Sequence, residues 1–363
     1  MKIKFFLLGT LCLSLMGCGG QKTEPETEAI PNLTEEGTLP RGDSDEKLDT
    51  AFQHFLNIIE RDSLDLHSVM VLQHGKVVKE QWLSEGAPEK PHIMYSVSKT
   101  FTSTAIGLAI SEGKLKIEDK LVDLFPEYAP AEPSENTKSI TVKDLLTMDT
   151  GMEVDPLWTL SKDTTKNWIQ GFMEQPVLHE PGTWYCYNNI ASYTLSAIVQ
   201  KVTGEKVVDY LQPRLFEPLH IDTPRWDEHD GINLGGWGLF VKTEDMAKLG
   251  QLLLQKGMWN GQQLLPEGWV DEASALHVAC CPANTRPDEI EKNNYTEANC
   301  DYIYGYGYQM WRGRNNTFRA DGLQGQFIIV IPDLDAVIIT TAKVAENQNL
   351  LNAIWEGLYP GLE

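Results

Sequence analysis

Hydrophobic residues recur at two different spacings in the first third of the sequence. From residue 45 to 61 they stand three and four positions apart, which predicts an amphipathic helix with one buried face. Residues 67–73 are rich in β-forming residues, residues 76–83 alternate, and His74-Gly75 between them has turn chemistry, so the two stretches predict a β-hairpin. Helical spacing from 99 to 112, stopped by a glycine, predicts a second helix.

The middle of the chain has mainly helical spacing, and strand patterns return near its end. The predicted helices of the middle region lie near 142–148, 161–173, 189–203, 243–256 and 266–275. Four predicted strands follow, and then a helix, at 305–311, 317–320, 326–331, 336–341 and 344–358.

Strands at both ends around a helical middle predict an α/β fold of the α+β type. One antiparallel sheet is built from both chain ends and flanked by helices, and a mostly helical region at about 115–275 is inserted into it. Residues 46–363 then form one domain, and we expect a site in the cleft between the sheet and the inserted region.

The N-terminus has the pattern of an export signal. Residues 1–17 combine two lysines with an apolar run that is too short to span a membrane. The run ends Leu15-Met16-Gly17-Cys18, which resembles a bacterial lipobox and predicts an exported lipoprotein of the cell envelope, anchored through lipid on Cys18. An ordinary signal peptide with an incidental cysteine is the alternative. Residues 18–45 lack apolar periodicity and predict an acidic, flexible tether.

Composition and charge exclude several classes of protein. Of 363 residues, 42% are hydrophobic and 23% are charged, which excludes a chain disordered throughout and a small disulfide scaffold. Asp and Glu number 52 against 30 Lys and Arg, a formal net charge of -22. Such a surface repels phosphate backbones, so we expect no nucleic-acid partner.

Four cysteines remain after the predicted leader and lipid site, namely Cys186, Cys280, Cys281 and Cys300. The last three lie in or beside a polar stretch, residues 279–299, which predicts a surface excursion held by one disulfide to Cys300. The sequence leaves open which cysteines pair. It has no C-x-x-C and no paired histidines at ligand spacing, so we predict neither a metal nor another cofactor.

Three S-x-x-K tetrads occur, and their surroundings separate them. Ser44 lies in the acidic tether, and Ser111 lies at a helix C-terminus, where the helix dipole opposes an oxyanion. Ser96 stands where a strand leads into an apolar helix, and the spacing of three places its hydroxyl and the Lys99 amine on one helical face. Burial lowers the pKa of a lysine enough to let it accept a serine proton. The alternative is an N-cap serine beside a surface lysine.

Tyr187-Asn188-Asn189 is the only Y-x-N of the chain. A phenol held near a lysine can pass a proton to a leaving group, and an amide two residues on can orient the lysine or the substrate. The alternative is a turn tyrosine with an asparagine cap. None of the histidines has the context of a Ser-His-Asp triad.

These motifs occur in one order, which resembles the serine β-lactamase and penicillin-binding-protein superfamily. The resemblance is closest to its class C-like branch, which also holds esterases, D-amino-acid peptidases and hydrolases of 6-aminohexanoate dimers, and it covers roughly residues 49–358. The matching segments are Ser96-Val97-Ser98-Lys99, Leu145-Leu146-Thr147-Met148-Asp149-Thr150-Gly151, Pro181-Gly182-Thr183, Tyr187-Asn188-Asn189, Gly235-Gly236-Trp237-Gly238-Leu239 and Gly322-Leu323-Gln324-Gly325-Gln326.

The resemblance implies a role for each catalytic position. Ser96 matches the nucleophile that carries the acyl group, Lys99 matches its general base, Tyr187 matches the proton-relay tyrosine and Asn189 matches the polar neighbour of that tyrosine. We expect two further aromatic residues, Tyr95 and Trp237, to line the pocket.

The third family motif, K-T-G or H-x-G, falls at Leu323-Gln324-Gly325, and here the sequence departs from the pattern. Leu323 lacks the cation that attracts a β-lactam carboxylate. Gly325 permits close backbone approach, and the Gln326 N–H is expected to form an oxyanion hole with the Ser96 N–H.

The sequence as a whole predicts a serine hydrolase of the cell envelope that acts through an acyl-enzyme and needs no cofactor. Its expected substrates are small or peptide-like esters or amides, with D-peptides and linear oligoamides among them. A true β-lactamase or DD-peptidase, and a non-catalytic envelope binding protein, are the alternatives. A metal-dependent hydrolase lacks ligands at usable spacing, and the oligomeric state stays open.

Overall fold

The computed structural model describes residues 32–163, 165–279, 292 and 294–363. They belong to one compact unit, Pro31–Glu363. The predicted signal peptide, Cys18, Cys280 and Cys281 lie outside the described residues. Among the described residues, no helix is both long enough and apolar enough to cross a membrane.

The main sheet has six antiparallel strands and joins the two ends of the chain. The strands of the structure are β1 Leu66–Gln73, β2 Lys76–Trp82, β3 His92–Ile93, β4 Arg225–Trp226, β5 Glu228–His229, β6 Ile232–Asn233, β7 Leu239–Val241, β8 Met258–Trp259, β9 Gln262–Gln263, β10 Trp311–Arg312, β11 Phe318–Gly322, β12 Gln326–Ile331 and β13 Ala336–Ala342. The order in the main sheet is β10-β11-β12-β13-β1-β2. β1, from the N-terminal hairpin, pairs with β13, the last strand, which confirms the predicted fold class.

Both faces of this sheet are covered. Along β12, Phe327 and Ile329 pack into one hydrophobic cluster, while Ile328 and Val330 pack into another on the opposite face. Side chains of a strand alternate between faces, so a strand with continuous apolar residues is buried on both sides.

The helices of the structure are α1 Glu46–Arg61, α2 Ser98–Ser111, α3 Leu121–Leu124, α4 Glu135–Ser139, α5 Val142–Thr147, α6 Leu157–Leu160, α7 Trp168–Met173, α8 Asn189–Thr203, α9 Val207–Leu211, α10 Thr243–Leu254, α11 Trp269–Ala273 and α12 Asn347–Ala353. Short 3-10 or π turns cover Tyr95–Val97, Pro126–Tyr128, Gln212–Phe216, Asp301–Tyr304, Pro332–Leu334, Ile354–Leu358 and Tyr359–Gly361. α10 packs on one face of the sheet, where a Cβ at Gly250 would lie 2.6 Å from Val337, and α1 lies on the opposite face. The buried residues of α2 and α8 belong to the same hydrophobic cluster as those of α10.

Several predicted elements differ from the observed ones. Of the helix predicted over 161–173, only α7 Trp168–Met173 is helical, because the Asn167 side chain accepts hydrogen bonds from Ile169 N and Gln170 N and so begins the helix there. The strand predicted over 305–311 is absent up to 310, because Gly305 and Gln309 have left-handed backbone angles, with φ of 100° and 61°. Strands β3, β7 and β4 form a small sheet that was not predicted, since two or three residues carry no readable periodicity.

The predicted tether is wrong for its described part. Leu39 is completely buried, and its backbone N donates to Glu244. Arg41 pairs with Glu80 at 2.8 Å and with Glu244 at 2.9 Å. Leu39 and Arg41 attach this segment to the domain, but two such residues give no periodic pattern in the sequence. The sequence therefore predicted a solvated segment where the chain in fact packs on the domain.

Cys186 and Cys300 are both free and buried. Among the described residues, Cys186 and Cys300 therefore form no disulfide with each other, and the cysteines predicted to pair with Cys300 lie outside these residues.

Candidate active site

Ser96 lies in a single 3-10 turn between strand β3 and helix α2. The flanking residues fix this turn to one residue of β7, because Met94 N donates to Leu239 O at 2.8 Å and Leu239 N donates to Ser98 Oγ at 3.2 Å. Tyr95, directly before the serine, has a φ of 44°, which non-glycine residues rarely adopt. The serine is thus presented on a rigid, strained turn at the start of a buried helix.

Lys99 is buried, with 1% of its surface exposed, so it is not a surface charge. Its Nζ lies 2.9 Å from Ser96 Oγ, 2.8 Å from Asn189 Oδ1 and 2.8 Å from the Gly236 carbonyl oxygen. Burial lowers the pKa of Lys99 to about 7, although the Asp155 carboxylate acts in the opposite direction. In the neutral amine, two N–H groups donate to the two oxygens of Asn189 and Gly236, and the lone pair is left for the Ser96 proton.

The glycines of the Gly235-Gly236 segment make this contact sterically feasible. A Cβ at Gly235 would lie 2.6 Å from the Ser192 carbonyl oxygen, and a Cβ at Gly236 would lie 3.1 Å from Ser192 Cβ. Gly236, for which no sequence pattern predicts a role, therefore supplies a hydrogen-bond acceptor to Lys99. Trp237, which was predicted to line the pocket, is not among the residues that line the cavity. Its ring centroid lies 6.1 Å from that of Trp168.

The aromatic ring of Tyr187 lies against the Lys99 amine. Its ring centroid lies 4.9 Å from Lys99 Nζ, and the ring stacks on Trp311 at 5.8 Å. Its phenol forms a hydrogen bond with the Ser96 side chain. Burial raises the pKa of Tyr187 above its ordinary value, and nearby Asp321 adds to this, so the phenol keeps its proton at neutral pH.

Asp155 is a residue of this site that the sequence did not indicate. Its Oδ2 accepts hydrogen bonds from Asn189 Nδ2 at 2.8 Å and Asn189 N at 3.1 Å. It precedes Pro156 in the loop before α6, and no motif or spacing relates it to Ser96. A carboxylate brought in by a loop leaves no periodic signal in the sequence.

A cavity of about 750 Å³ opens over these groups. Its lining comprises Ser96, Asp155, Tyr187, Asn189, Tyr295, Asn299, Cys300, Tyr302, Trp311, Asp321, Leu323, Ala345, Glu346, Asn347 and Gln348. The charged side chains among these are carboxylates, and the aromatic residues form much of the wall. Within the described part of the chain, no cluster of His, Cys, Asp and Glu side chains could hold a metal ion.

Of the residues that the sequence predicted from the third motif, Leu323 lines the cavity, whereas Gly325 and Gln326 do not. A Cβ at Gly322 would lie 2.5 Å from the Met94 carbonyl oxygen, so strand β11 passes directly beside the turn that carries the serine. Leu323, the next residue, lines the cavity and is 60% exposed.

Gln326 is completely buried and does not line the cavity, which contradicts its predicted place at the site. Its Nε2 donates to the carbonyl oxygens of Leu323 at 3.0 Å and Ala342 at 2.8 Å, so it holds the turn together. Gly325, with a φ of 90°, serves packing, since a Cβ there would lie 2.7 Å from Leu350. Tyr95 also lies outside the cavity lining, and its hydroxyl donates to Gln324 Oε1 at 3.2 Å.

Known proteins share this fold and parts of this sequence. The 6-aminohexanoate-dimer hydrolase of Paenarthrobacter ureafaciens is 25% identical over 313 residues, which cover 81% of this chain and 76% of that protein. A penicillin-binding-protein homologue from Caulobacter crescentus has a TM-score of 0.66 at 15% identity, over 87% of this chain and 99% of its own. EstCE1, a hydrolase with promiscuous acyltransferase activity, has a TM-score of 0.69 at 15% identity, over 87% of this chain and 100% of its own.

The fold is that of the serine β-lactamase and penicillin-binding-protein superfamily. The β-lactamase family profile matches residues 67–354, most of the chain, and the chain therefore belongs to the β-lactamase family. Membership in this family, together with hydrolase relatives, supports a serine hydrolase in general. One fold hosts many acyl substrates, so substrate has to be argued from the site.

Proposed function

We propose that this protein hydrolyses esters or amides through an acyl-enzyme formed on Ser96. The observation that carries the proposal is the 2.9 Å contact between the buried Lys99 amine and Ser96 Oγ. A lysine whose pKa is lowered to about 7 is partly neutral at physiological pH and can accept the serine proton.

In the proposed acylation, Ser96 Oγ bonds to the substrate carbonyl carbon while Lys99 takes its proton. The tetrahedral intermediate then expels the leaving group, which receives a proton through the Tyr187 hydroxyl. In deacylation, a water molecule attacks the acyl carbon and gives up its proton by the same route in reverse. Ser96 regains its proton, and the acid product leaves.

For the oxyanion hole we propose the backbone N–H groups of Ser96 and Leu323. Leu323 lines the cavity with Ser96, and the preceding Gly322 lies against Met94, two residues before the nucleophile. Two such amides stabilise the charge that develops on the carbonyl oxygen.

The lining of the cavity favours neutral or cationic acyl substrates. Asp155 and Glu346 contribute carboxylates, whereas the Asp321 carboxylate is paired with Arg319 at 2.8 Å, and Leu323 replaces the cation that would hold a substrate carboxylate. A β-lactam or a D-alanyl peptide brings a carboxylate close to the scissile bond, so these are poorer candidates. The name of the Paenarthrobacter relative supports linear amides as one substrate class.

Turnover of a small panel by the full chain in detergent tests the proposal. We expect hydrolysis of p-nitrophenyl acetate and of short linear amides, with much slower turnover of nitrocefin. Ser96→Ala is expected to abolish the activity, whereas Ser111→Ala, which alters the serine of another S-x-x-K tetrad, should retain it. Activity that survives in Ser96→Ala would contradict the proposed nucleophile.

We also propose that the protein is an exported lipoprotein of the cell envelope, on the lipobox-like residues that end in Cys18. The test is fractionation of cells that express the wild type or Cys18→Ala. The wild type is expected in the membrane fraction and the variant in the soluble fraction. A variant that stays wholly with the membranes would refute the lipid anchor.

A further inference from the structure

Asp155 occupies a particular place in the contacts around Lys99. Its two carboxylate oxygens face in different directions: Oδ1 accepts from Leu157 N at 3.1 Å, and Oδ2 accepts from both the backbone and the side chain of Asn189. All of these partners are N–H donors. A carboxylate, which only accepts hydrogen bonds, suits every one of them.

The same contacts decide which way the Asn189 amide points. An asparagine amide has an oxygen on one side and an NH₂ group on the other, and the two can exchange places by rotation. Because the NH₂ group donates to Asp155 at 2.8 Å, the oxygen is left to face Lys99 Nζ, also at 2.8 Å. The opposite orientation would place two donors against each other at the lysine.

We infer that Asp155 is a positioning residue of this site, which holds the Asn189 amide so that its oxygen accepts from the Lys99 amine. The inference rests on the function proposed for Ser96 and Lys99 and adds Asp155 to the residues of that site. Asp155 touches neither Ser96 nor Lys99 in the hydrogen bonds of the structure and acts through Asn189.

Asp155 also acts on Lys99 through its charge. The polar groups around Lys99 Nζ are the Ser96 hydroxyl and the oxygens of Asn189 and Gly236, and the ionisable groups near it are Tyr187, whose ring centroid lies at 4.9 Å, and the Asp155 carboxylate behind Asn189. Asp155 raises the pKa of Lys99 and opposes the effect of burial. Removing it therefore both frees the amide and favours the neutral amine.

Asp155→Asn is the sharpest substitution, because it keeps the shape and creates a conflict. Its new NH₂ group must face either Leu157 N or the two donors of Asn189, and it finds an acceptor there only if the Asn189 amide rotates and turns its oxygen away from Lys99. Asp155→Ser is a second variant in case the first does not fold, since its hydroxyl can still accept from Leu157 N. The matched control is Glu153→Gln, which removes a carboxylate two residues away that pairs with His179 at 3.0 Å.

The experiment follows the Lys99 titration by NMR in the full chain with lysine labelled at Cε, assigned by the signal missing from Lys99→Ala. It compares the wild type, Asp155→Asn, Asn189→Ala, the double variant and Glu153→Gln. We expect the midpoint to fall in Asp155→Asn and to stay at the wild-type value in Glu153→Gln. We also expect Asp155→Asn to change the midpoint of the Lys99 titration less in the Asn189→Ala background, because the amide that Asp155 positions is absent there.

A midpoint unchanged in Asp155→Asn, or a change of the same size in both backgrounds, would overturn the inference. The titration needs no turnover, so it decides the role of Asp155 even if the proposed hydrolase function fails. Where esters are turned over, Asp155→Asn is expected to lower kcat by about tenfold or more and to move the acid limb of the pH profile to lower pH.

Discussion

The two sides of the cavity are built in contrasting ways. The lysine side, formed by Ser96, Lys99, Tyr187 and Asn189, is held by several hydrogen bonds of 2.8 to 2.9 Å around a buried amine. The turn side, residues 322–326, presents the exposed Leu323 to the cavity. The buried Gln326 side chain stabilises this turn by donating a hydrogen bond to the Leu323 carbonyl oxygen. We infer that the hydrogen bonds of the lysine side hold the reacting groups in place, whereas the turn side selects the substrate.

The largest effect is expected on the lysine side. Lys99→Ala removes the amine that lies 2.9 Å from Ser96 Oγ and accepts its proton, so kcat/KM for p-nitrophenyl acetate should fall by about 10³-fold or more. Initial rates against substrate concentration measure it, and circular dichroism checks that the variant is folded. A loss below tenfold in a folded variant would place the general base elsewhere.

Tyr187→Phe should have a smaller effect than loss of the lysine. It removes the hydroxyl that contacts Ser96 and leaves the ring stacked on Trp311. We expect a decrease of about 10²-fold in kcat, and a larger decrease for amides than for p-nitrophenyl esters, whose leaving group needs no proton. Equal losses for the two substrates would argue against proton donation by the phenol.

The pH profile of the wild type tests the state of the lysine. Because burial lowers the pKa of Lys99 to about 7 and the neutral amine is the active form, kcat/KM should rise about tenfold per pH unit below 7 and level off above it. Burial holds the pKa of Tyr187 above its ordinary value, so the phenol should cause no loss of activity up to about pH 9. A profile that is flat between pH 5 and pH 8 would contradict a lysine base.

The smallest predicted effect concerns the turn side and is a gain. Leu323→Lys places a cation at the exposed position that lines the cavity, so kcat/KM for nitrocefin should rise by about fivefold, with little change for a neutral ester. Leu323→Met is the neutral control. If both variants hydrolyse nitrocefin at the wild-type rate, the leucine does not limit lactam turnover.

The sequence predicts the parts of the molecule that rest on local patterns. Helix α1, the β1–β2 hairpin and strands β12 and β13 follow from spacing alone, and the tetrad at Ser96 marks the lysine side. Sequence patterns do not indicate Asp155 and Gly236, because loops far along the chain bring Asp155 to Asn189 and Gly236 to Lys99. The assignment of Gln326 to the site was wrong because no pattern tells which residue of a five-residue turn faces the cavity.

Whether Ser96 is an activated nucleophile is tested by intact-mass measurement after treatment with a fluorophosphonate. We expect one adduct per wild-type chain, mapped to the peptide that holds Ser96, absent from Ser96→Ala and strongly slowed in Lys99→Ala. A folded wild-type protein that takes no label, or takes it on another residue, would show that Ser96 is not the activated nucleophile.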